Sequence, residues 1–255
     1  MIKSLKYLMG DLSVFLPVTN HEKWMLVVKS ILVVLLLDWF FYRSFIAILP
    51  LLPVGIKYFQ LEKAALIRKK QEGAKEQFKE LLLLVSGGQK AGYSADNAFL
   101  SSYGEMQSLY GKESSICRML QVIRIAKENR RSLAEAWYEI GEKTGIREIC
   151  EFAGIYEISY QSSGNVADIM ERTAGIIVEK MDTEKEILVL LGAKRLEQKI
   201  MNAMPFLIML YIMVTSPGYF SELYHTITGV IIMSICLGIY LLSYGASLKI
   251  IDISL

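Results

Sequence analysis

The chain has 255 residues with a mean hydropathy of +0.35, a high value for a soluble protein of this length. Its 28 basic and 26 acidic residues leave a net charge of +2, which argues against a nucleic-acid-binding protein, since such proteins usually carry a basic excess. Most charges lie between residues 57 and 199, so a polar middle separates two apolar ends.

The first apolar region runs from Trp24 to Phe59 and carries Lys29, Asp38 and Arg43. It is too long for one helical crossing of about 30 Å of hydrocarbon, and two helices joined near residues 38–43 fit it better. The second helix is short and contains two prolines, so we expect it to be kinked or partly interfacial. An alternative interpretation makes Lys29 and Asp38 part of an intramembrane ion pathway, although both lie near predicted span ends.

The polar middle has the length of one independent domain. Its apolar residues recur at helical spacing, and no stretch alternates as a strand would. The sequence therefore predicts a bundle of short helices without a sheet. The apolar stripes are Phe78, Leu81, Leu82 and Val85; Leu133, Trp137 and Ile140; Phe152, Ile155, Tyr156 and Tyr160; and Val166, Ile169, Met170, Thr173 and Ile177.

Three predicted helix starts in this domain share similar turn chemistry. Gly92 is expected to end one helix in a conformation that disfavours side chains, and Ser94 to cap the next helix. Ser132 and Glu135 match a capping box, in which each side chain satisfies a backbone N–H of the first turn.

The third start combines Gly164 with Asn165 as the cap of the last helix of the domain. No strong helix breaker follows before Pro205, so this helix is predicted to run directly towards the membrane. The uncharged stretches Ile200–Phe220 and Thr226–Leu248 each have the length of a transmembrane helix.

Lysine and arginine near the span ends predict the orientation, because cytoplasmic flanks are rich in these residues. The two short turns between spans hold only Arg43, so both termini and residues 60–199 are expected on the cytoplasmic side. The predicted fold class is all-α, an integral protein of the cytoplasmic (inner) membrane with about four transmembrane helices. The predicted segments are an N-terminal cytoplasmic segment (1–23), a transmembrane hairpin (24–59), a cytoplasmic helical bundle (60–199), a second transmembrane hairpin (200–248) and a cytoplasmic tail (249–255).

The residue patterns do not indicate an enzyme, a cofactor or a metal site. Residues 85–89 (VSGGQ) resemble the signature loop of ABC-type ATPases, but the phosphate-binding GxxxxGK[ST] loop is missing from the sequence. We interpret them as a helix segment whose small residues admit a neighbouring helix. The cysteines, Cys117, Cys150 and Cys236, are odd in number and widely spaced, which fits neither a disulfide framework nor zinc.

A basic patch lies near one predicted helix end and comprises Arg124, Lys127, Arg130 and Arg131. It fits a docking surface for anionic lipid or for an acidic protein surface. The alternative is the ordinary accumulation of positive charge at a helix C-terminus, where it complements the helix dipole.

Three short motifs, taken in order, resemble elements of the type II secretion system F family. Residues 89–99 resemble its "aG.s...A" element, residues 132–137 its "G.sl.eAl" element, and residues 163–169 its "tGGnl...l" element. The likeness covers residues 75–215, and the two N-terminal spans fit the single-domain Tad (Flp pilus) platform proteins. The chain departs from the family pattern where arginines 130 and 131 replace a usual glycine, and where Asn165 replaces the second glycine of the last motif.

The resemblance implies a platform subunit of a type II secretion or type IV (Tad/Flp) pilus-like machine. Such a subunit is not itself an enzyme. The partners it implies are a cytoplasmic ATPase that acts on the helical domain, pilin-like subunits that leave the bilayer, a second platform protein or another copy of the chain, and membrane lipid, but no nucleic acid. Two other classes stay open, a small membrane transporter or channel and a membrane-anchored signalling protein.

Overall fold

The computed structural model describes residues 15–44, 48–161, 166–216, 218–220, 223–224 and 226–251. Over these residues the chain is helical and contains no strand, as the periodicity predicts. The helices are α1 (Asn20–Phe41), α2 (Ile48–Lys90), α3 (Ala95–Tyr110), α4 (Ser115–Glu128), α5 (Leu133–Thr144), α6 (Arg147–Gln161), α7 (Val166–Thr215) and α8 (Ile227–Ile251).

The chain divides into two compact units. The bundle unit comprises Met1–Asn20 and Ala64–Thr183, and the membrane unit comprises His21–Lys63 and Glu184–Leu255. Helix α2 begins in the membrane unit and ends in the bundle unit, and helix α7 does the reverse. The prediction that the last helix of the domain continues towards the third span is confirmed, because α7 has 50 residues and contains Pro205 without ending there.

A cluster of aromatic rings forms the centre of the bundle unit. Phe78 of α2 lies 5.4 Å from Trp137 of α5, and Phe99 of α3 lies 5.8 Å from Phe152 of α6, measured between ring centroids. Each such pair contributes about 0.5–1.5 kcal/mol beyond the burial of its area. These aromatic side chains join the four helices. Those of α2, α5 and α6 belong to the apolar stripes predicted from the sequence, whereas Phe99 of α3 does not.

The predicted stripe of α6 is only partly buried. Phe152 and Tyr156 are buried, but the side chain of Ile155 is 36% exposed, so its predicted place in the core is wrong. The buried line of α6 continues instead to Ser159, whose hydroxyl donates to the carbonyl of Ile155 and is thereby satisfied. The spacing of apolar residues in the sequence does not reveal that the buried face of α6 includes a small polar residue, Ser159.

Glycines allow close helix contacts in the bundle unit. A Cβ atom added to Gly141 of α5 would lie 2.4 Å from Sγ and 2.9 Å from the backbone nitrogen of Cys150 in α6. A Cβ atom added to Gly88 of α2 would lie 3.2 Å from the Cβ atom of Ala98 in α3. The interpretation of the VSGGQ segment as a helix with small residues at a helix contact is therefore confirmed at Gly88.

Among the described residues, three helices are long and apolar enough to cross a membrane, and their apolar ranges are Asn20–Phe41, Glu171–Thr215 and Ile227–Ser247. The separate short helix predicted before residue 59 is wrong, because α2 runs without a break from Ile48 to Lys90. Pro53 lies inside α2 and removes one backbone donor, but helix propagation is cooperative and one missing bond does not end so long a helix.

Candidate functional site

The turn after α2 has the hydrogen bonds of a Schellman motif, a common way to end a helix. The N–H of Tyr93 donates to the carbonyl of Gly88 at 3.1 Å, and the N–H of Gly92 donates to the carbonyl of Gln89 at 2.9 Å. Gly92 has a φ of 93°, a region that side chains disfavour. The predicted role of Gly92 as a helix-ending glycine is confirmed.

The turn after α4 repeats this arrangement with an arginine in place of the glycine. The N–H of Arg131 donates to the carbonyl of Ala126 at 2.9 Å, and the N–H of Arg130 donates to the carbonyl of Lys127 at 3.0 Å. Arg130 has a φ of 56°, which is the left-handed conformation that L-residues adopt at a cost of about 1–2 kcal/mol. The departure from glycine noted in the sequence therefore falls on a residue with a strained backbone.

The serines that follow these turns begin the next helices but act differently. Ser94 accepts a hydrogen bond from the N–H of Asn97 at 3.4 Å, so its predicted capping role is confirmed. Ser132 occupies the N-cap position of α5 without a side-chain capping bond, and the capping box with Glu135 is therefore wrong. The backbone ψ is 130° at Ser132 and 152° at Ser94.

Gly164 and Asn165 lie outside the described residues, and their predicted role before α7 stays a prediction.

Lys127 is the half-buried member of the basic patch. It belongs to a network of polar contacts within the bundle unit. Its ammonium lies 3.1 Å from Oδ1 of Asn97 and 3.7 Å from Oδ2 of Asp96. Asp96 also accepts a 2.6 Å hydrogen bond from the hydroxyl of Tyr156. The network joins the start of α3 to the end of α4 and to α6, which gives Lys127 a structural role.

The other members of the patch differ in their partners. Arg131 lies 3.5 Å from the carboxylate of Glu139, and the guanidinium of Arg124 lies 4.9 Å from the ring centroid of Tyr103, a cation–π distance. The side chain of Arg130 is exposed and forms no ion pair or hydrogen bond with the part of the chain that the structure describes. Three of the four predicted docking residues thus serve contacts within the chain, and the side chain of Arg130 is exposed.

Two ion pairs in the bundle unit were not anticipated from the sequence. The ammonium of Lys75 lies 2.7 Å from the carboxylate of Glu148, whose side chain is 8% exposed. Lys79 donates to Asp182 at 2.7 Å, and this hydrogen bond raises the pKa of Lys79 above its usual value. The only signal in the sequence is Glu148 in the first turn of α6, where an acidic residue complements the helix dipole.

Polar contacts at one end of the membrane unit link α1 to α2. The ammonium of Lys29 lies 3.4 Å from the carboxylate of Glu62, which also accepts a 3.2 Å hydrogen bond from the hydroxyl of Tyr58. Between the two helices, a Cβ atom added to Gly55 would lie 2.7 Å from a methyl group of Val34. Small residues allow this kind of close backbone approach between membrane helices. Helix α2 therefore returns the chain to the end at which α1 begins.

A second set of contacts lies at the opposite end of the membrane unit. The guanidinium of Arg43 lies 5.6 Å from the ring centroid of Trp39 and 5.4 Å from that of Tyr224. The Tyr224 hydroxyl donates to the carbonyl of Phe40 at 2.7 Å. This arrangement fixes the single basic residue of the predicted short turns against aromatic rings.

Lys29 and Asp38 are not brought together. Lys29 pairs with Glu62, whereas Asp38 lies nine residues further along α1, about 14 Å away at 1.5 Å per residue. One carboxylate oxygen of Asp38 is buried without a hydrogen-bond partner among the described residues. The structure shows no contact between Lys29 and Asp38 that would support an ion pathway through these two residues.

Among the described residues, no group of three or more histidine, cysteine, aspartate or glutamate side chains is placed to hold a metal ion. Comparisons of the chain with protein-family models, with curated proteins and with solved structures found no match.

Proposed function

We propose that the chain is a platform subunit of the cytoplasmic (inner) membrane in a type II secretion or Tad/Flp pilus-like assembly machine. The observation that carries the proposal is α7, which begins within the third family-like motif and continues for 50 residues from the bundle unit into the membrane unit. The first family-like motif likewise lies at the end of α2, the other helix shared by both units.

The proposed topology has four crossings, with both termini and residues 60–199 on the cytoplasmic side. The contact between Lys29 and Glu62 supports it, because the first part of α2 returns to the end of the unit where α1 begins. The uncharged part of α2 runs only from Ile48 to Ile56, about 14 Å of helix, so this crossing depends on Lys57 reaching the interface with its flexible side chain.

In the proposed mechanism the chain performs no covalent chemistry. A separate cytoplasmic ATPase pushes on the bundle unit, and α2 and α7 carry the displacement to the membrane unit, which moves pilin-like subunits out of the bilayer. Arg130, exposed and without an acidic partner among the described residues, is the proposed contact for an acidic surface of that ATPase. A second platform protein or another copy of the chain completes the platform.

The orientation is tested with single cysteines in a variant that has Ala at positions 117, 150 and 236. Gly104→Cys places a thiol on the exposed surface of α3, where an added Cβ meets no atom within 4 Å, and Ser216→Cys places one just after α7. In intact cells an impermeant maleimide should label position 216 and not position 104. Labelling at 104 without permeabilisation would contradict the proposed orientation.

The assembly role is tested by deleting the gene in its native host and measuring pilin-like subunits on the cell surface. We expect surface subunits to disappear and to return with the wild-type chain, and a photo-crosslinker at position 130 to capture a secretion-type ATPase. Solute flux through proteoliposomes that contain the purified chain alone, with surface subunits unchanged by the deletion, would favour a transporter or channel instead.

A further inference from the structure

A cavity of about 560 Å³ lies inside the membrane unit. Helices α1, α2, α7 and α8 contribute to its wall, with Leu37 from α1, Val54 from α2, Phe206 from α7 and Leu241 from α8. Its volume falls in the range of about 300–1,000 Å³ that is usual for small-ligand sites. Most of the wall is apolar, so a soluble anion or sugar would find few partners there.

Three side chains that line the cavity carry polar groups, Lys57, Tyr58 and Tyr244, and the hydroxyl of Tyr58 donates to Glu62. Lys57 is exposed and forms no ion pair or hydrogen bond with the residues that the structure describes. The cavity thus combines an apolar wall with one lysine among its lining residues, on the helix that contacts α1 through Lys29 and Glu62.

We infer that this cavity binds one anionic phospholipid of the surrounding bilayer, with an acyl chain against the apolar wall and the phosphate on Lys57. The charge of Lys57 complements an acidic headgroup, and a lipid enters laterally from the hydrocarbon that the spans cross. A 20-residue transmembrane helix of a partner, about 2,400 Å³, is too wide to enter, whereas a single acyl chain is narrow enough and leaves the headgroup and the second chain outside the cavity. The inference depends on membrane insertion and not on the proposed platform role.

The test measures lipid that stays bound to the full-length chain after purification in mild detergent, by native mass spectrometry with phosphatidylglycerol or phosphatidylethanolamine added back. We expect one phosphatidylglycerol to be retained per chain. Gly245→Phe should abolish retention, because Gly245 lines the cavity, an added Cβ there meets no atom within 4 Å, and the ring beyond it should fill part of the cavity. Gly238→Phe is the matched control, since this glycine of the same helix is equally open but does not line the cavity.

The headgroup contact is tested separately. Lys57→Gln should weaken phosphatidylglycerol retention about five-fold, the effect of removing one lysine near an anionic membrane surface, and should leave phosphatidylethanolamine unchanged. Lys63→Gln removes the same charge from α2 outside the cavity and should behave as the wild type.

Two results would overturn the inference. The first is equal retention of phosphatidylglycerol by the wild type and by Gly245→Phe, which would place any bound lipid elsewhere on the surface. The second is equal retention of both lipids by the wild type, which would remove the role of Lys57. Because the readout is bound lipid, neither result depends on whether the chain serves a pilus or secretion machine.

Discussion

Gly92 and Arg130 occupy the same position in two copies of one turn, each two residues before the serine that begins the next helix. Both turns have the same pair of backbone hydrogen bonds, and both residues have positive φ, 93° and 56°. In the first turn a glycine adopts this positive-φ conformation without strain. In the second turn an arginine adopts it, so the backbone there is strained.

Arg130→Gly should raise the free energy of unfolding of the purified chain by about 1 kcal/mol, because glycine adopts this conformation without steric strain. Gly92→Ala should lower it by about the same amount in chemical denaturation followed by circular dichroism. A loss of stability in Arg130→Gly would mean that the arginine side chain makes a stabilising contact. Under the proposed function, the stabilised Arg130→Gly variant should also bind the ATPase less tightly, and Arg130→Lys should restore part of that binding.

Gly141→Ala should destabilise the bundle unit by about 1–3 kcal/mol, the usual penalty of overpacking. The added methyl would meet the backbone nitrogen of Cys150 at 2.9 Å, and a backbone atom cannot move aside as a side chain can. Gly154→Ala is the matched control in α6, where the added methyl meets no atom within 4 Å and helix propensity should gain about 0.5–1 kcal/mol. Equal effects of the two variants in thermal denaturation would contradict the close contact between α5 and α6.

The thiol of Cys150 should react slowly with iodoacetamide at neutral pH. Burial raises its pKa above the ordinary value of about 8.5, and the nearby Glu142 carboxylate, 3.8 Å away, raises it further by disfavouring the thiolate. In a variant that keeps only this cysteine, the alkylation rate should therefore rise with pH through a midpoint above that of a free cysteine.

Glu142→Gln should shift this midpoint to lower pH and speed the reaction at pH 8, while burial keeps it above the ordinary value. Glu135→Gln removes a carboxylate from the exposed face of the same helix and serves as the control. A midpoint unchanged by Glu142→Gln would show that the carboxylate does not act on the thiol.

Ile187→Pro should cost about 3 kcal/mol or more of helix stability in the middle of α7, because proline removes a backbone hydrogen bond and clashes with the preceding turn. Under the proposed function, this variant should insert into the membrane but fail to export the pilin-like subunit. Lys185→Glu should have a mild effect, since exposed ion pairs contribute about 1 kcal/mol or less. Export that survives Ile187→Pro and fails with Lys185→Glu would make this stretch a docking surface.

The sequence predicted the helices of the bundle unit and most of its core, because the spacing of apolar residues indicates which face of a helix is buried. The stripe from Phe78 to Val85 is buried throughout, and so is the stripe from Leu133 to Ile140. The boundary of α2 did not follow, because prolines and a change from apolar to charged composition suggested a break. That composition change instead falls inside one continuous helix.

The candidate site was less predictable because its contacts join distant parts of the chain. Spacing grouped Lys127 and Arg130 in one basic patch, but only the fold shows that Asp96 lies beside Lys127 and that Arg130 has no such partner among the described residues. The pairing of Lys75 with Glu148 joins residues on α2 and α6 in the same way. Partners so far apart in the sequence leave no local signal.

The three tryptophans are distributed so that intrinsic fluorescence distinguishes the two units. Trp137 is fully buried among aromatic rings, and its indole N–H has no partner among the described residues, so its emission should be blue-shifted and insensitive to quenchers dissolved in lipid. Trp24 and Trp39 of α1 are 69% and 45% exposed on a helix suited to the bilayer, within reach of brominated acyl chains. Loss of the blue-shifted component that brominated lipid leaves unquenched therefore follows unfolding of the bundle unit, while quenching by brominated lipid follows insertion of α1, both in the unlabelled wild-type chain.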